Sequence, residues 1–142
     1  NKAFRDITIR NDTKSIEMEM SSATFFQPFT AELATDKLPL IAEIVASLKT
    51  IDFIDYKISV EGHTSDLAPQ SGLYATNWEL SSARAARMVR AFIDSGIKPE
   101  NIKAVGLADS QPKVPNIDIN GNAIPANREK NERVMVKLER VN

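Results

Sequence analysis

The chain has 142 residues, enough for one domain with its own core and too few for two. Hydrophobic residues make up 42% and charged residues 26%, a balance that predicts a folded chain rather than a disordered one. The net charge of −1, without a block of basic residues, argues against nucleic-acid binding. With no cysteine and one histidine, disulfide scaffolds, thiol nucleophiles and zinc fingers are excluded, and we predict no metal and no cofactor.

The start of the chain carries no recognisable signal peptide, and no apolar run approaches the roughly 20 residues of a membrane helix. The first residue is Asn1 rather than methionine. We therefore expect a mature form or a fragment of a longer protein.

The first elements predicted are a β-hairpin, an aromatic loop and a helix. Residues 7–10 and the alternating residues 15–20 predict two strands, joined through Asn11-Asp12. Residues 25–29 hold three phenylalanines, which we expect to plug the core from a loop. A helix is expected from Asp36, because Pro39 suits its first turn. Its apolar residues recur at helical spacing: Leu38, Ile41, Val45 and Leu48.

A strand, an irregular segment and a long helix come next. Residues 56–61 alternate and end at Gly62, residues 65–75 look irregular, and residues 77–95 predict a helix. The glycine and proline beyond this helix are the usual stop residues. The predicted apolar stripe holds Trp78, Ala85, Val89 and Phe92, and another side holds Asn77, Leu80 and Arg84.

The last segments predict two strands separated by a long loop. Residues 102–106 are a short strand, residues 109–125 with three prolines are a loop, and residues 133–141 are an alternating strand. The order is then β-β-α-β-α-β-β, which favours helices packed on a sheet. The expected fold class is therefore α/β (α+β), in one domain.

The densest polar cluster lies at the end of the strand over residues 56–61, where α/β sheets often bind ligands. Its members are His63, Thr64, Ser65 and Asp66, with Asn77 and Arg84 further along. A carboxylate and an arginine in one cleft suit a zwitterionic ligand, because they pair with an ammonium group and a carboxylate respectively. The structural alternative is that Asp66 caps a turn, Asn77 caps the helix and Arg84 is solvated.

The segment before the last strand also allows two interpretations. Arg128 or Arg133 adds a second cation to the cleft, or the segment is a charged loop that enters an edge strand. His63 forms no Ser-His-Asp triad with Ser65 and Asp66, because the three are nearly adjacent and no Gly-x-Ser-x-Gly elbow exists. We expect His63 to shape its loop by hydrogen bonding.

Four segments together resemble the OmpA-like peptidoglycan-binding domain. They are VEGHT at 60–64, NWELSSARA at 77–85, VGLAD at 105–109 and NERV at 131–134, in the order that the family has them. The NWELS form, with Phe26 and Phe29, is most similar to flagellar stator B subunits (the MotB/PomB group). We assign residues 15–142 to this domain, and residues 1–14 to a linker-proximal segment or first strand.

The resemblance implies a periplasmic domain with a β-α-β-α-β core and one mixed sheet. It also implies binding of the peptide stem of peptidoglycan, at its diaminopimelate, without cleavage. In the family, the Asp after Gly-His-Thr holds the ligand ammonium group and the helix Arg, here Arg84, holds the ligand carboxylate. Thr64 lines the same pocket, and Asn77 matches the family's Asn. Because Ser65 occupies the Asp position, either the loop shifts to let Asp66 serve or the ammonium contact is weakened.

The predicted peptidoglycan-binding residues are Thr64, Ser65, Asp66, Asn77, Leu80, Arg84 and Arg128. The family's two consecutive arginines are replaced here by Glu132-Arg133. A stator subunit implies a homodimer that anchors the motor to the wall, within an inner-membrane protein of a Gram-negative bacterium. It further implies an upstream membrane helix that contacts the stator A subunit. The alternatives are a general outer-membrane or lipoprotein anchor, and a wall-peptide hydrolase with His63 as base.

Overall fold

The computed structural model describes the backbone of residues 7–11 and 15–141, and side chains from Ile16 onward. The strands are β1 (Ile7–Asn11), β2 (Ser15–Ser21), β3 (Tyr56–His63), β4 (Ile102–Gly106) and β5 (Arg133–Arg140). The helices are α1 (Ser22–Phe25), α2 (Leu38–Leu48), α3 (Asn77–Asp94) and α4 (Pro125–Asn131). Short 3-10 helices precede α2 (Thr35–Lys37) and β4 (Pro99–Asn101). The predicted α+β class, with helices on one mixed sheet, is confirmed.

The five strands form one sheet in the order β1-β2-β5-β3-β4. β1 and β2 pair antiparallel, with Ile7 opposite Met20, and the predicted turn at Asn11-Asp12 extends outside the described residues. β3 and β4 are parallel, whereas β5 runs antiparallel to both β2 and β3. One interpretation of the sequence made the last strand, β5, an edge strand. This was wrong, because β5 lies in the middle of the sheet and is hydrogen bonded to β2 on one side and β3 on the other.

Alternation along the central strands directs one face of the sheet toward α2 and α3. Every second residue of β3 and β5 is almost fully buried, and together with the helices these residues form one core. The core includes Met20, Ile41, Val45, Ile58, Val60, Met88, Phe92, Val134, Val136 and Leu138. Because the other face of these strands carries mainly charged residues, the period-2 pattern defines which side of the sheet receives the helices.

The helix α2 begins two residues later than predicted. Asp36 lies in the 3-10 helix, and α2 starts at Leu38 with Pro39 in its first turn, where a missing N–H costs nothing. Ile41, Val45 and Leu48 are buried as predicted, whereas Leu38 is exposed. Within residues 7–11 and 15–141, we find no helix with both the length and the hydropathy that crossing a bilayer requires.

The predicted apolar stripe of α3 is correct in the middle of the helix and wrong at its start. Ala85 and Phe92 are fully buried, and Val89 packs half-buried against the core. Trp78, by contrast, is 51% exposed. The capping residue Thr76, whose hydroxyl accepts a hydrogen bond from the backbone N–H of Trp78 at 3.1 Å, begins the helix before the helix reaches the sheet.

Close contact between α3 and the sheet starts one turn later. A Cβ at Gly62 would overlap the carbonyl oxygen of Ser81, so this position admits only glycine without movement of the backbone. The buried side of α3 also includes Leu80 and Arg84. Their predicted position away from the buried stripe was therefore wrong, because distant segments also cover this side of the helix: Phe26, Thr30 and Glu132 all contact Arg84.

The aromatic segment after β2 plugs the core with two of its three phenylalanines. Phe25 ends α1, and Phe26 forms a β-bridge with Leu33; both phenylalanines are buried. Phe29 is 37% exposed and has a φ of 57°, in a turn where Thr30 N–H donates to Gln27 O at 3.1 Å. The prediction for Phe29 was wrong because this left-handed turn directs its side chain outward.

The helix α4 forms where a loop tail was predicted. Pro125 occupies its first turn, and Asn131 ends it fully buried. The Asn131 side chain accepts hydrogen bonds from the backbone N–H groups of Lys113 (2.9 Å) and Val114 (3.1 Å). It also donates to the carbonyl oxygen of Val114 at 2.8 Å. These bonds fix α4 against the preceding long loop, and α4 in turn positions Arg128.

Candidate functional site

A cleft of about 260 Å³ lies among α1, the turn after it, the loop after β3, and α4. Its apolar lining consists of Ala23, Phe26, Pro28, Phe29 and Leu67. Its polar lining consists of Ser22, Ser65, Arg84, Arg128, Glu129 and Glu132. Sites that enclose a whole drug-sized ligand have about 300–1,000 Å³, so this cleft suits one residue of a longer molecule.

Arg84 reaches the cleft from α3 and makes two directed hydrogen bonds. Its Nε donates to the carbonyl oxygen of Thr30 at 2.8 Å, and its Nη1 donates to Glu132 Oε1 at 2.8 Å. The guanidinium carbon lies 5.5 Å from the ring centroid of Phe26, within cation–π distance. Arg84 is only 3% exposed. The alternative of a solvated Arg84 was therefore wrong, because three neighbouring groups hold and cover it.

Glu132 connects Arg84 to the loop after β3. Its Oε2 accepts a hydrogen bond from the backbone N–H of Ser65, while its Oε1 accepts from Arg84. The side chain of Glu132 is 25% exposed, so a ligand in the cleft can contact the carboxylate. Charge-assisted hydrogen bonds of this kind are roughly twice as strong as neutral ones, so the carboxylate is well fixed.

The loop after β3 is held by its own polar side chains. Thr64 N–H donates to Ala108 O at 2.9 Å, and Thr64 Oγ1 donates to Ser65 O at 2.9 Å. Asn77 Nδ2 donates to the carbonyl oxygens of Ser65 (3.2 Å) and Leu67 (3.0 Å). Because the helix cap is the preceding Thr76, the alternative of Asn77 as the cap was wrong.

Asp66 and Arg128 form an ion pair beside the cleft. Arg128 Nε lies 2.7 Å from Asp66 Oδ1, and about 30% of each side chain is exposed (27% and 31%). Arg128 lines the cleft, whereas Asp66 does not. The pair therefore links the loop after β3 to α4 at the edge of the cleft.

Three predicted residues line the cleft: Ser65, Arg84 and Arg128. The other four, Thr64, Asp66, Asn77 and Leu80, lie beside or behind it. Leu80 and Thr64 are buried, Asn77 supports the loop, and Asp66 pairs with Arg128. Glu132 was not among the predicted site residues, yet it accepts a hydrogen bond from Arg84. The only sign of its importance in the sequence was that it replaces an arginine of the family.

Arg133 and His63 belong to the opposite face of the sheet. Arg133 Nη2 donates to Gln111 O at 3.1 Å. His63 is 3% exposed, and its Nε2 lies 3.1 Å from Glu61 Oε1. Both residues line a second cavity, so neither reaches the cleft that holds Arg84. His63 is hydrogen bonded as expected, but its described contact is to Glu61 of the same strand rather than to the loop.

Glu61 forms the centre of that second group of charges. Burial alone raises the pKa of Glu61, but hydrogen bonds from His63 and Lys137 and the positive charge of Lys137 outweigh it. The pKa of Glu61 is therefore held below its usual value. Lys137 Nζ lies 3.0 Å from Glu61 Oε1.

The sequence pattern of the OmpA family matches residues 25–131. This match spans α2, β3, α3, β4 and α4 and most of the cleft lining, whereas the lining residues Ser22, Ala23 and Glu132 lie just outside it. The chain belongs to the OmpA family.

Solved structures share this fold over nearly the whole chain. The periplasmic domain of Helicobacter pylori MotB superposes with a TM-score of 0.83 at 20% identity, over 96% of this chain and 83% of that one. A putative MotB-like protein from Desulfovibrio vulgaris has a TM-score of 0.82 at 28% identity, over 98% and 82%. The type VI secretion system (T6SS) cell wall anchor from Pseudomonas aeruginosa has a TM-score of 0.82 at 20% identity, over 96% and 89%.

Among curated proteins, the chain is 27% identical over 135 residues to the uncharacterised protein YtxE of Bacillus subtilis (strain 168). The alignment covers 94% of this chain and 52% of YtxE. The chain thus spans about half the length of this relative.

Proposed function

We propose that this domain binds peptidoglycan through the Arg84 cleft, without cleaving it, and thereby anchors a larger assembly to the cell wall. Membership of the OmpA family supports this proposal, and so does the common fold with the T6SS cell wall anchor. The domain acts in the periplasm, where the wall is accessible.

The observation that carries the proposal is the fixed Arg84 at the cleft. A guanidinium held by Thr30 and covered by Phe26 fixes the Glu132 carboxylate at the cleft before a ligand arrives. Ligands bind more tightly to groups that are already ordered, because less conformational entropy is lost. The size of the cleft suits one charged residue of a peptide stem, with the rest of the polymer outside.

The same geometry argues against the hydrolase alternative. His63, the base which that alternative requires, lines the cavity on the other face of the sheet. The cleft lining offers Ser22 and Ser65 as hydroxyl groups, with no histidine beside them. A serine nucleophile needs an adjacent base within hydrogen-bond distance, so binding is the function that this site supports.

The assembly that we infer is the flagellar motor stator. The Desulfovibrio MotB-like protein is 28% identical and aligns over 98% of this chain, which favours a stator B subunit over a general outer-membrane or lipoprotein anchor. On this proposal the protein is a homodimer, is held in the inner membrane and contacts a stator A subunit. Its role is then to keep the stator stationary against the wall while ions drive rotation.

Cosedimentation with purified sacculi tests the binding. We expect the domain to pellet with sacculi, Arg84→Ala to pellet much less, and Arg90→Ala to behave as wild type because Arg90 is exposed elsewhere on α3. Circular dichroism at the assay temperature establishes that each variant is folded. No pelleting of the wild type, or release of soluble muropeptides during incubation, would overturn the proposal.

A further inference from the structure

We propose that Glu132 makes this cleft selective for a stem residue that carries an ammonium group without a free carboxylate beside it. Lysine and diaminopimelate whose carboxylate is amidated both have this chemistry. The inference rests on the proposed function and specifies its ligand.

Arg84 already has a carboxylate partner within the domain. Glu132 Oε1 accepts from Arg84 Nη1 at 2.8 Å, the position that a ligand carboxylate would need. The guanidinium Nε is used by Thr30 O, and Phe26 covers the group. Each bidentate edge of the guanidinium already has one nitrogen in use, so a ligand carboxylate pairs with two of its nitrogens only after displacing Thr30 O or Glu132. Displacing Glu132 leaves a buried N–H donor of Ser65 without its acceptor, which is unfavourable.

Glu132 has unused acceptor capacity facing the cleft. An ionised carboxylate offers about four lone-pair positions, and the described bonds from Arg84 and Ser65 use two of them. One quarter of the side chain is exposed, and Glu132 is a lining residue of the cleft. A ligand ammonium group placed here meets a fixed carboxylate whose orientation two donors already determine.

The charge balance of the cleft also disfavours a ligand carboxylate. Its two lining cations each have a carboxylate partner, because Arg84 pairs with Glu132 and Arg128 pairs with Asp66. Glu129 lines the cleft as a further negative charge. A ligand carboxylate therefore enters a surrounding that is negative on balance, whereas an ammonium group is attracted.

Binding of three soluble stem tripeptides tests the selectivity. The peptides are identical except for the third residue, which is lysine, amidated diaminopimelate or diaminopimelate with its free carboxylate. NMR titration of the wild-type domain should give affinities for the first two at least about tenfold above the third, a difference of about 1.4 kcal/mol. Equal affinity for the lysine and amidated peptides would mean that the ammonium group alone is recognised. Tighter binding of the amidated peptide would mean that the cleft also binds the carboxamide.

Variants at Glu132 give the matching comparison. Glu132→Gln keeps the size but removes the charge, and should lose about tenfold for the lysine peptide. Glu132→Arg should reverse the preference toward the free carboxylate. Glu43→Gln removes an exposed carboxylate of α2, which does not line the cleft, and should leave the order of the peptides unchanged. If Glu132→Gln is unfolded by circular dichroism, Glu132→Asp, which shortens the reach of the charge, replaces it.

The outcomes separate this inference from the proposed function. Tighter binding of the free-carboxylate peptide by the wild type, or unchanged selectivity in the Glu132 variants, overturns the role of Glu132 while wall binding stands. Arg84-dependent pelleting with sacculi but no binding of any of the three peptides also overturns the inference alone. If neither sacculi nor peptides bind, both proposals fail.

Discussion

Arg128 Nε lies 2.7 Å from Asp66 Oδ1, so one ion pair joins α4 to the loop after β3 at the edge of the cleft. Each partner is about 30% exposed (27% and 31%), and water therefore screens the attraction. The pair consequently fixes the geometry of the two segments more than it contributes to the stability of the domain.

We predict that Asp66→Asn and Arg128→Ala each lower the free energy of unfolding by less than about 1 kcal/mol, because the pair is partly exposed. A double-mutant cycle from urea denaturation should give a coupling energy of about 0.2–1 kcal/mol between the two side chains. A coupling near zero would mean that Asp66 and Arg128 do not pair in solution.

Arg84→Ala should lower the free energy of unfolding by about 1–3 kcal/mol, because it leaves the Glu132 carboxylate and the Thr30 carbonyl oxygen without their donor. Arg90→Ala, on the exposed side of α3, should change stability by less than about 0.5 kcal/mol. Chemical denaturation of both variants checks this. Equal stability of Arg84→Ala and wild type would contradict the buried position of Arg84.

Gly62→Ala should destabilise the domain by about 3 kcal/mol, because the added methyl group overlaps the Ser81 carbonyl oxygen between strand and helix. Gly121→Ala is the comparison, since its surroundings are open and only its φ of 84° is unfavourable, at about 1–2 kcal/mol. Thermal unfolding ranks the two. A smaller loss at Gly62 than at Gly121 would show that α3 lies further from β3.

Trp78→Ala should cost less than about 1 kcal/mol, because half of this side chain is exposed and α3 meets the sheet only after it. Phe92→Ala removes a fully buried ring and should cost about 3–5 kcal/mol. Urea denaturation of the two variants compares the start and the end of α3. Similar decreases in the free energy of unfolding for both variants would indicate that Trp78 is buried as Phe92 is.

The pKa of Glu61 gives the domain a pH dependence in the acid range. Because its pKa is lower in the folded state, the stabilisation from its contacts is present above the pKa of an unfolded glutamate, about 4.3. That stabilisation is lost as the pH falls through the lower folded-state value. Denaturation at a series of pH values from 7 to about 3 should therefore show a shallower acid decline for Glu61→Gln than for wild type. Glu43→Gln, which alters an exposed carboxylate of α2, should keep the wild-type slope.

Residue patterns predicted the strands well because each central strand has one buried face. Val134, Val136 and Leu138 alternate with charged residues except at Met135, and this period of two locates β5 within a residue. The pattern does not say which strands are neighbours. β5 lies between β2 and β3, since non-local hydrogen bonding, rather than any local signal, determines strand order.

The side chains around the cleft were less accessible to sequence reasoning. Helical spacing separated Leu80 and Arg84 from the apolar stripe, but spacing alone does not reveal that other segments enclose that side of α3. Arg84 is buried because Thr30, Phe26 and Glu132 all converge on it from distant parts of the chain. A charged residue on an amphipathic helix normally indicates the solvent side, so the local pattern was misleading here.

Arg84 joins segments that are 54 and 48 residues away along the chain, at Thr30 and Glu132 respectively. During synthesis, the cleft therefore stays incomplete until the ribosome has released nearly the whole domain. A chain truncated before α4 lacks the carboxylate that holds the loop after β3, whatever helices it has formed. Competence to bind thus requires the last part of the chain, and so a nascent chain without Glu132 lacks a complete site.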